Sequence, residues 1–217
     1  ARAERLLEPD RRTATLETMA TDDLVSHRMT HLTTYQNAAL ANRYKALVVR
    51  VREAEKAIVP DDRLTRAVAH VYAQLLAYKD EYEVARLFTD PAFKAGLSEQ
   101  FEGNYRIAFN LAPPFLQGED ANGRPRKRRF GRWMLPAFGV LASLKGLRGS
   151  AFDPFGRTTE RRMERQLITD YAALVEHVLK NLCRENLDAA VALASLYGEI
   201  RGYGPGRFSF NVAGGRC

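Results

Sequence analysis

The sequence predicts a mostly α-helical domain, bundle-like and built from several helices, with one small β-hairpin. Three observations carry that expectation. Apolar residues recur at intervals of three and four over most of residues 21–100 and 158–198. Only residues 105–111 switch to strict alternation, the period of a half-buried strand. Helix breakers gather at Pro60, Pro91, Pro113, Pro114 and the run GLRGSAFDPFGR, which sets the segment boundaries.

The first helical signal runs from Thr21 to Ile58 with no Gly or Pro inside it. Thr21 is placed to cap, and Asp22 and Asp23 complement the positive helix end. Leu24, Leu32, Tyr35, Ala39, Asn42, Leu47, Val51 and Ala54 mark its expected apolar stripe, with Met29 off register. One long helix is expected here. A second starts after Pro60, capped by Asp61 or Asp62. Its stripe of Leu64, Val68, Val71, Leu75, Tyr78, Tyr82 and Ala85 is spaced like a packed helix seam and continues to Asp90. Asp90-Pro91 ends it and opens a short helix through Phe101, closed by Gly103.

Tyr105, Ile107, Phe109 and Leu111 then alternate with Arg106, Ala108 and Asn110 as a strand, and Asn122-Gly123 supplies a turn. The run RKRRF returns as the second strand of an exposed hairpin. Helix resumes from about Trp133 to Lys145. Thr158 caps a further helix whose buried stripe is expected at Met163, Leu167, Tyr171, Leu174, Val178 and Leu182. A last helix covers ENLDAAVALASLYG, with Gly198 as its terminating residue. Residues 1–20 are expected to be a connector from an upstream chain, 21–204 the helical domain with its basic hairpin near 105–130, and 205–217 an irregular tail.

At 217 residues the chain is long enough to bury roughly 70% of its extended surface, so the core needs no covalent staples. Its 46% apolar and 27% charged residues are those of a globular protein and argue against disorder. No stretch approaches the roughly 20 apolar residues that span a bilayer. Cys183 and Cys217 are the only cysteines, which excludes a disulfide framework and C-x-x-C metal sites. The N-terminus lacks the apolar region of a secretory signal, so the cytoplasm is the expected compartment.

Net charge is +7, and nearly all of the excess lies in one place. Arg124, Arg126, Lys127, Arg128, Arg129 and Arg132 fall between Asn122 and Trp133 with no acidic residue among them. Such a cluster repels itself and is stabilised by an anionic partner. An acidic protein surface and a nucleic acid are both candidates. Phe130 and Trp133 could stack on bases, but the remaining surface is nearly neutral, so nucleic acid is the less favoured partner.

A second constellation is AYKDEYEVARLFTDPAF, residues 77–93. Lys79, Asp80, Glu81, Glu83 and Arg86 crowd beside Tyr78, Tyr82 and Ala85. Lys79 and Glu83 are four apart and could pair on a helix. Asp80 and Glu83 are three apart, as metal ligands or an acid–base pair would be, but no histidine accompanies them. A solvated face, an active-site cluster and a buried polar network all remain open on these residues. His27 and His31 have the spacing of two metal-binding imidazoles, but the H-E-x-x-H glutamate is missing and Arg28 opposes a cation. His70 and His177 sit beside core stripes, and Cys183 is expected as a small buried hydrophobe. Dinucleotide, P-loop and nucleophile-elbow motifs are lacking, so no catalytic, cofactor or metal residue is expected in this segment.

Taken together, TTYQNAALANRYKALVVRVREAE (33–55), LLAYKDEYEVARLFTDPAF (75–93), NLAPPFL (110–116), residues 124–171 and IRGYG (200–204) form a recognisable set. They resemble the C-terminal domain of unknown function that ends long-form indolepyruvate ferredoxin oxidoreductases. The resemblance implies a bacterial, cytoplasmic parent that oxidises 2-oxoacids and is a homo-oligomer. In that parent, thiamine diphosphate with magnesium, iron–sulfur clusters and coenzyme A are expected in upstream domains, and ferredoxin takes the electrons. It also implies that Lys79, Asp80, Glu81, Tyr82, Glu83 and Arg86 form a polar network at a helix junction or against those upstream domains. Arg124 to Arg132 would then meet a partner such as ferredoxin. The tail PGRFSFNVAGGRC departs from the His-Val-Lys-like ending expected of the family.

Overall fold

The computed structural model describes residues 18–100, 107–111 and 128–199. Among them are eight α-helices and one two-stranded antiparallel sheet. In chain order these are α1 Thr21–Tyr35, α2 Ala38–Lys56, α3 Arg63–Leu76, α4 Glu81–Thr89 and α5 Pro91–Gln100. Then come β1 Phe109–Leu111, β2 Arg128–Phe130, α6 Met134–Ser143, α7 Thr159–Lys180 and α8 Leu187–Leu196. Short 3-10 turns follow α6 (Leu144–Leu147) and flank α8 (Arg184–Asn186 and Tyr197–Glu199). The expected connector (1–20) lies outside the described residues up to 17, as do the end of the expected domain (200–204) and the tail (205–217). No helix among the described residues is long and apolar enough to cross a membrane.

Two expected long helices are each broken once. The first stops at Tyr35 because Asn37 takes an extended backbone and its side chain accepts from Leu40 N–H at 2.9 Å, a capping bond that restarts the helix. The second stops at Leu76 because Asp80 caps α4, accepting from Glu83 N–H at 2.8 Å. The phase therefore resets. On α2 the buried positions are Ala41, Tyr44, Leu47, Val48, Val51 and Glu55, while the expected Ala39 and Asn42 are exposed.

α3 lies at the centre of the larger core, packed by α1, α2, α7 and α8. Tyr44, Tyr72 and Tyr171 stack through it, with ring centroids 6.2 and 6.0 Å apart. The outer two phenols donate to the Ala69 and Ala194 carbonyls, so the rings bury area without leaving a hydroxyl unpaired. On α7 the buried line is Glu164, Ile168, Tyr171 and Val175, one residue on from most of the expected stripe, and Met163 is exposed. Glu164 on that buried line pairs with Arg161 one turn earlier on the same helix. Gly198 follows the last helix directly after its C-cap Tyr197, as expected, but within a 3-10 turn; a Cβ there would lie 3.2 Å from Val71 Cγ2, so close packing also favours glycine.

A smaller core joins α4, the hairpin and α6. Phe88, Phe109 and Phe138 form its aromatic triad, with centroids 4.8 to 5.2 Å apart. The hairpin pairs Phe109 with Phe130 and Leu111 with Arg128, consistent with the alternation in the sequence.

Candidate functional site

Where the two cores meet, the charged stretch of 79–86 turns inward. Asp80 caps α4, and its carboxylate also receives Arg148, which ends the 3-10 turn after α6. Arg148 Nη2 donates to Asp80 Oδ1 at 2.8 Å and Nε donates to Oδ2, a two-pronged pair with both side chains 3% exposed. Nη1 donates to the Tyr35 carbonyl at 2.9 Å, at the end of α1. The guanidinium lies 3.7 Å from the Tyr35 ring centroid, and the Tyr35 hydroxyl donates to the Tyr78 carbonyl at 2.8 Å. One arginine thus ties α1, the 77–80 link, α4 and the end of α6. Burial acts to lower its pKa, but Asp80 and the nearby phenols raise it above the ordinary value. Burial, with Asp80 adding to it, pushes the Tyr35 phenol far upward.

Two further groups extend the junction. Asp153, in the connector before α7, accepts from Tyr82 Oη at 3.1 Å, Phe155 N–H at 3.1 Å and Gly149 N–H at 2.8 Å. Gly149 has φ +74°, and a Cβ on Gly156 would sit 2.6 Å from Asp153 Oδ2, so this connector needs both glycines. Arg161 on α7 donates to Glu164 and to Glu81 Oε2, the latter at 3.3 Å. Burial pushes the Glu164 carboxyl above its ordinary range, only partly offset by Arg161. On α4 itself, Arg86 donates twice to Glu83, at 2.9 and 2.7 Å. The expected Lys79–Glu83 pair does not form: Lys79 is exposed and precedes the helix.

The six residues of the proposed polar network therefore part company. Asp80, Tyr82 and Glu83 are buried, Glu81 and Arg86 are half-buried at its edges, and Lys79 lies outside. Arg148, Asp153, Arg161 and Glu164 complete it and were not expected from the sequence. Asp153-Pro154 and the glycines around it signalled a turn, but nothing local identifies a partner 68 residues away. Chemically, the Asp80 and Asp153 oxygens are committed to N–H, O–H and guanidinium donors, so they act here to hold the backbone in place.

Another buried carboxylate lies at the opposite end of the large core. Glu55, 0% exposed, accepts from Leu64 N–H at 2.7 Å and from Thr65 N–H and Oγ1 at 2.8 and 2.7 Å. It caps α3 from the previous helix, in place of the expected Asp61 or Asp62. Asp62 makes no side-chain cap bond, and Asp61 accepts from Arg63 N–H.

The remaining candidates are dispersed. His27 is exposed, whereas His31 is half-buried beside Tyr35, with centroids 6.4 Å apart and a buried Nδ1 that makes no hydrogen bond. Among the described residues, no group of three or more His, Cys, Asp or Glu could hold a metal. His70 is half-buried near Arg28, His177 is exposed, and Cys183 is half-buried where a fully buried residue was expected. Arg128, Arg129 and Arg132 are exposed on and after β2, while Arg124, Arg126 and Lys127 lie outside the described residues.

Burial holds the His31 imidazole below its ordinary range; Glu83 draws it back up, and Arg28, Arg86 and His27 push it further down. The folded state therefore binds this proton less readily than the unfolded chain. Its contribution to stability is full above about pH 6.5 and falls as pH drops through that value. His31→Phe is expected to flatten the fall in Tm between about pH 7.5 and about pH 5.5. Thermal melts at the two pH values check this; an equal fall in both proteins contradicts it.

A model of a family of unknown function (DUF6537) matches residues 21–209, and the chain belongs to that family. No curated protein matches the chain. No solved structure matches it.

Proposed function

We propose that this DUF6537 domain is a non-catalytic accessory and docking domain of an indolepyruvate (arylpyruvate):ferredoxin oxidoreductase. The parent would oxidatively decarboxylate arylpyruvates to arylacetyl-coenzyme A and pass electrons to ferredoxin. Its thiamine diphosphate, magnesium and iron–sulfur clusters would lie in upstream domains, in the cytoplasm of a bacterium. One observation supports an accessory role above the others: the carboxylates drawn inward around Arg148 each close on a donor of this same domain. The stretches that carry the resemblance also supply both halves of the central pair, Asp80 from residues 75–93 and Arg148 from residues 124–171. The outward-facing Arg128, Arg129 and Arg132 are the groups available to an acidic partner.

The test compares the full parent with and without residues 1–217, and with Arg126, Lys127, Arg128 and Arg129 changed to Glu. Charge reversal is expected to raise KM for ferredoxin about tenfold while turnover with a small artificial acceptor is unchanged. Deletion is expected to weaken subunit assembly as well. If deletion changes neither assembly nor ferredoxin reduction, the reading fails. Steeply salt-dependent binding of arbitrary DNA by the chain would instead favour an independent polyanion-binding module.

A further inference from the structure

α6 is made almost wholly of apolar residues, MLPAFGVLAS, yet Phe138 is its only buried side chain. A helix with such a composition ordinarily lies inside a protein. Met134, Leu135, Leu141 and Ala142 contribute part of their surface to the smaller core around Phe138. The other side is bare. Trp133 is 66% exposed, Val140 64% and Leu144 43%, and Ala137 between them is exposed as well. At 100° per residue, positions 133, 137, 140 and 144 fall within about 60° of one another and extend about 16 Å along the axis. They form one narrow, straight stripe.

Along the chain, its flanks carry only positive charge. From Ala121 to Phe152 the chain has no Asp or Glu. Phe130 of β2 lies 6.0 Å, centroid to centroid, from the Trp133 ring, which seats the strand's arginines beside the start of the stripe. Arg128, Arg129 and Arg132 are exposed there and form no ion pair with another described residue.

We infer that this stripe is the seat of an acidic amphipathic helix of a protein partner. The partner's apolar residues pack along Trp133, Ala137, Val140 and Leu144, and its carboxylates meet Arg128, Arg129 and Arg132. A straight row with i, i+4, i+7, i+11 spacing accepts the ridge of one other helix. The cationic flanks require acidic residues on the occupant. Nucleic acid would find two aromatic rings, Phe130 and Trp133, at one end and then aliphatic side chains that offer its bases nothing. A helix that lies in lipid carries Lys and Arg along its own polar face, and α6 has neither. The inference deepens the docking reading above and rests on it, because it names the surface and the chemistry of the partner.

Trp133 is the only tryptophan in the chain, so its fluorescence reports on this surface alone. The 217-residue chain is titrated with a peptide of about 18 residues, Leu at helical spacing and Glu elsewhere, without Trp or Tyr. The expected result is a saturable blue shift of Trp133 emission with two dependences. Affinity falls about tenfold in Val140→Asp, a central contact on an exposed position that leaves the circular dichroism unchanged. It also falls as salt is raised. The inference is overturned by no shift with this peptide, by an equal shift with a scrambled one, or by an equal or larger shift with oligo-dT or phosphatidylcholine–phosphatidylserine vesicles. A blue shift that grows with protein concentration alone marks a second copy as the occupant and also overturns it. The titration uses this chain by itself, so its failure is distinct from a failure of the docking reading, which the deletion assay on the parent tests independently.

Discussion

Arg148→Met is expected to lower the unfolding free energy by about 3–5 kcal/mol, the scale for breaking a fully buried ion pair from one side. The substitution keeps much of the side-chain volume but removes the two bonds to Asp80 and the bond to the Tyr35 carbonyl. Asp80, 3% exposed, would be left with an uncompensated negative charge held only by the α4 N-terminus. The cation above the Tyr35 ring goes as well. For a chain of this length, that loss corresponds to a Tm lower by roughly 10 °C. The pair Asp80→Asn with Arg148→Met is expected to recover part of it, since two neutral groups carry no stranded charge. Chemical denaturation of the three proteins checks the order; an Arg148→Met protein as stable as the parent contradicts it.

Glu55→Ala is expected to cost about 2–4 kcal/mol, although Glu55 belongs to no motif. The change strands the Leu64 and Thr65 N–H groups at the start of α3, the helix at the centre of the larger core. Each buried donor left without an acceptor costs about 1–3 kcal/mol. Glu55→Gln is a sharper probe. It preserves shape but turns one acceptor into an NH2 that faces existing donors, so it is expected to lie closer to Ala than to wild type. A Gln variant as stable as wild type would mean that the carboxylate is not the cap.

These two sites also show what could be read from the residues. Periodicity located the helical segments and, within the alternation of 105–111, the strand at Phe109–Leu111, because burial on a regular element repeats with that element's period. It did not report continuity. Leu64 to Ala85 keeps its 4, 3, 4, 3 spacing straight across the break at 77–80, because Tyr78 within the break and Tyr82 and Ala85 beyond it are buried as well. The stop at Asn37 carried no Gly or Pro; its only signal was an Asn able to cap. On α7 the expected stripe was built from apolar residues, while the inward line includes Glu164. A stripe of apolar residues cannot reveal a buried carboxylate whose partner, Arg161, is itself charged. Glu55 was hidden too, because its partners are backbone N–H groups and one hydroxyl, which leave no pattern in the sequence. Asp80 and Tyr82 were legible as candidates because charge and aromatic residues crowd there, but the cation that balances Asp80 lies in a Gly/Pro-rich connector whose course only the fold determines.

The charged stretch beginning at Lys79 thus serves as the internal junction of two cores, through the pair of Asp80 and Arg148. A double-mutant cycle with Asp80→Ala and Arg148→Ala, read by equilibrium denaturation, isolates that pair. A coupling energy of about 2 kcal/mol or more, in the range of paired groups in one buried network, is expected. Additive single effects, with coupling within about 0.5 kcal/mol of zero, would mean that the pair does not join the two cores.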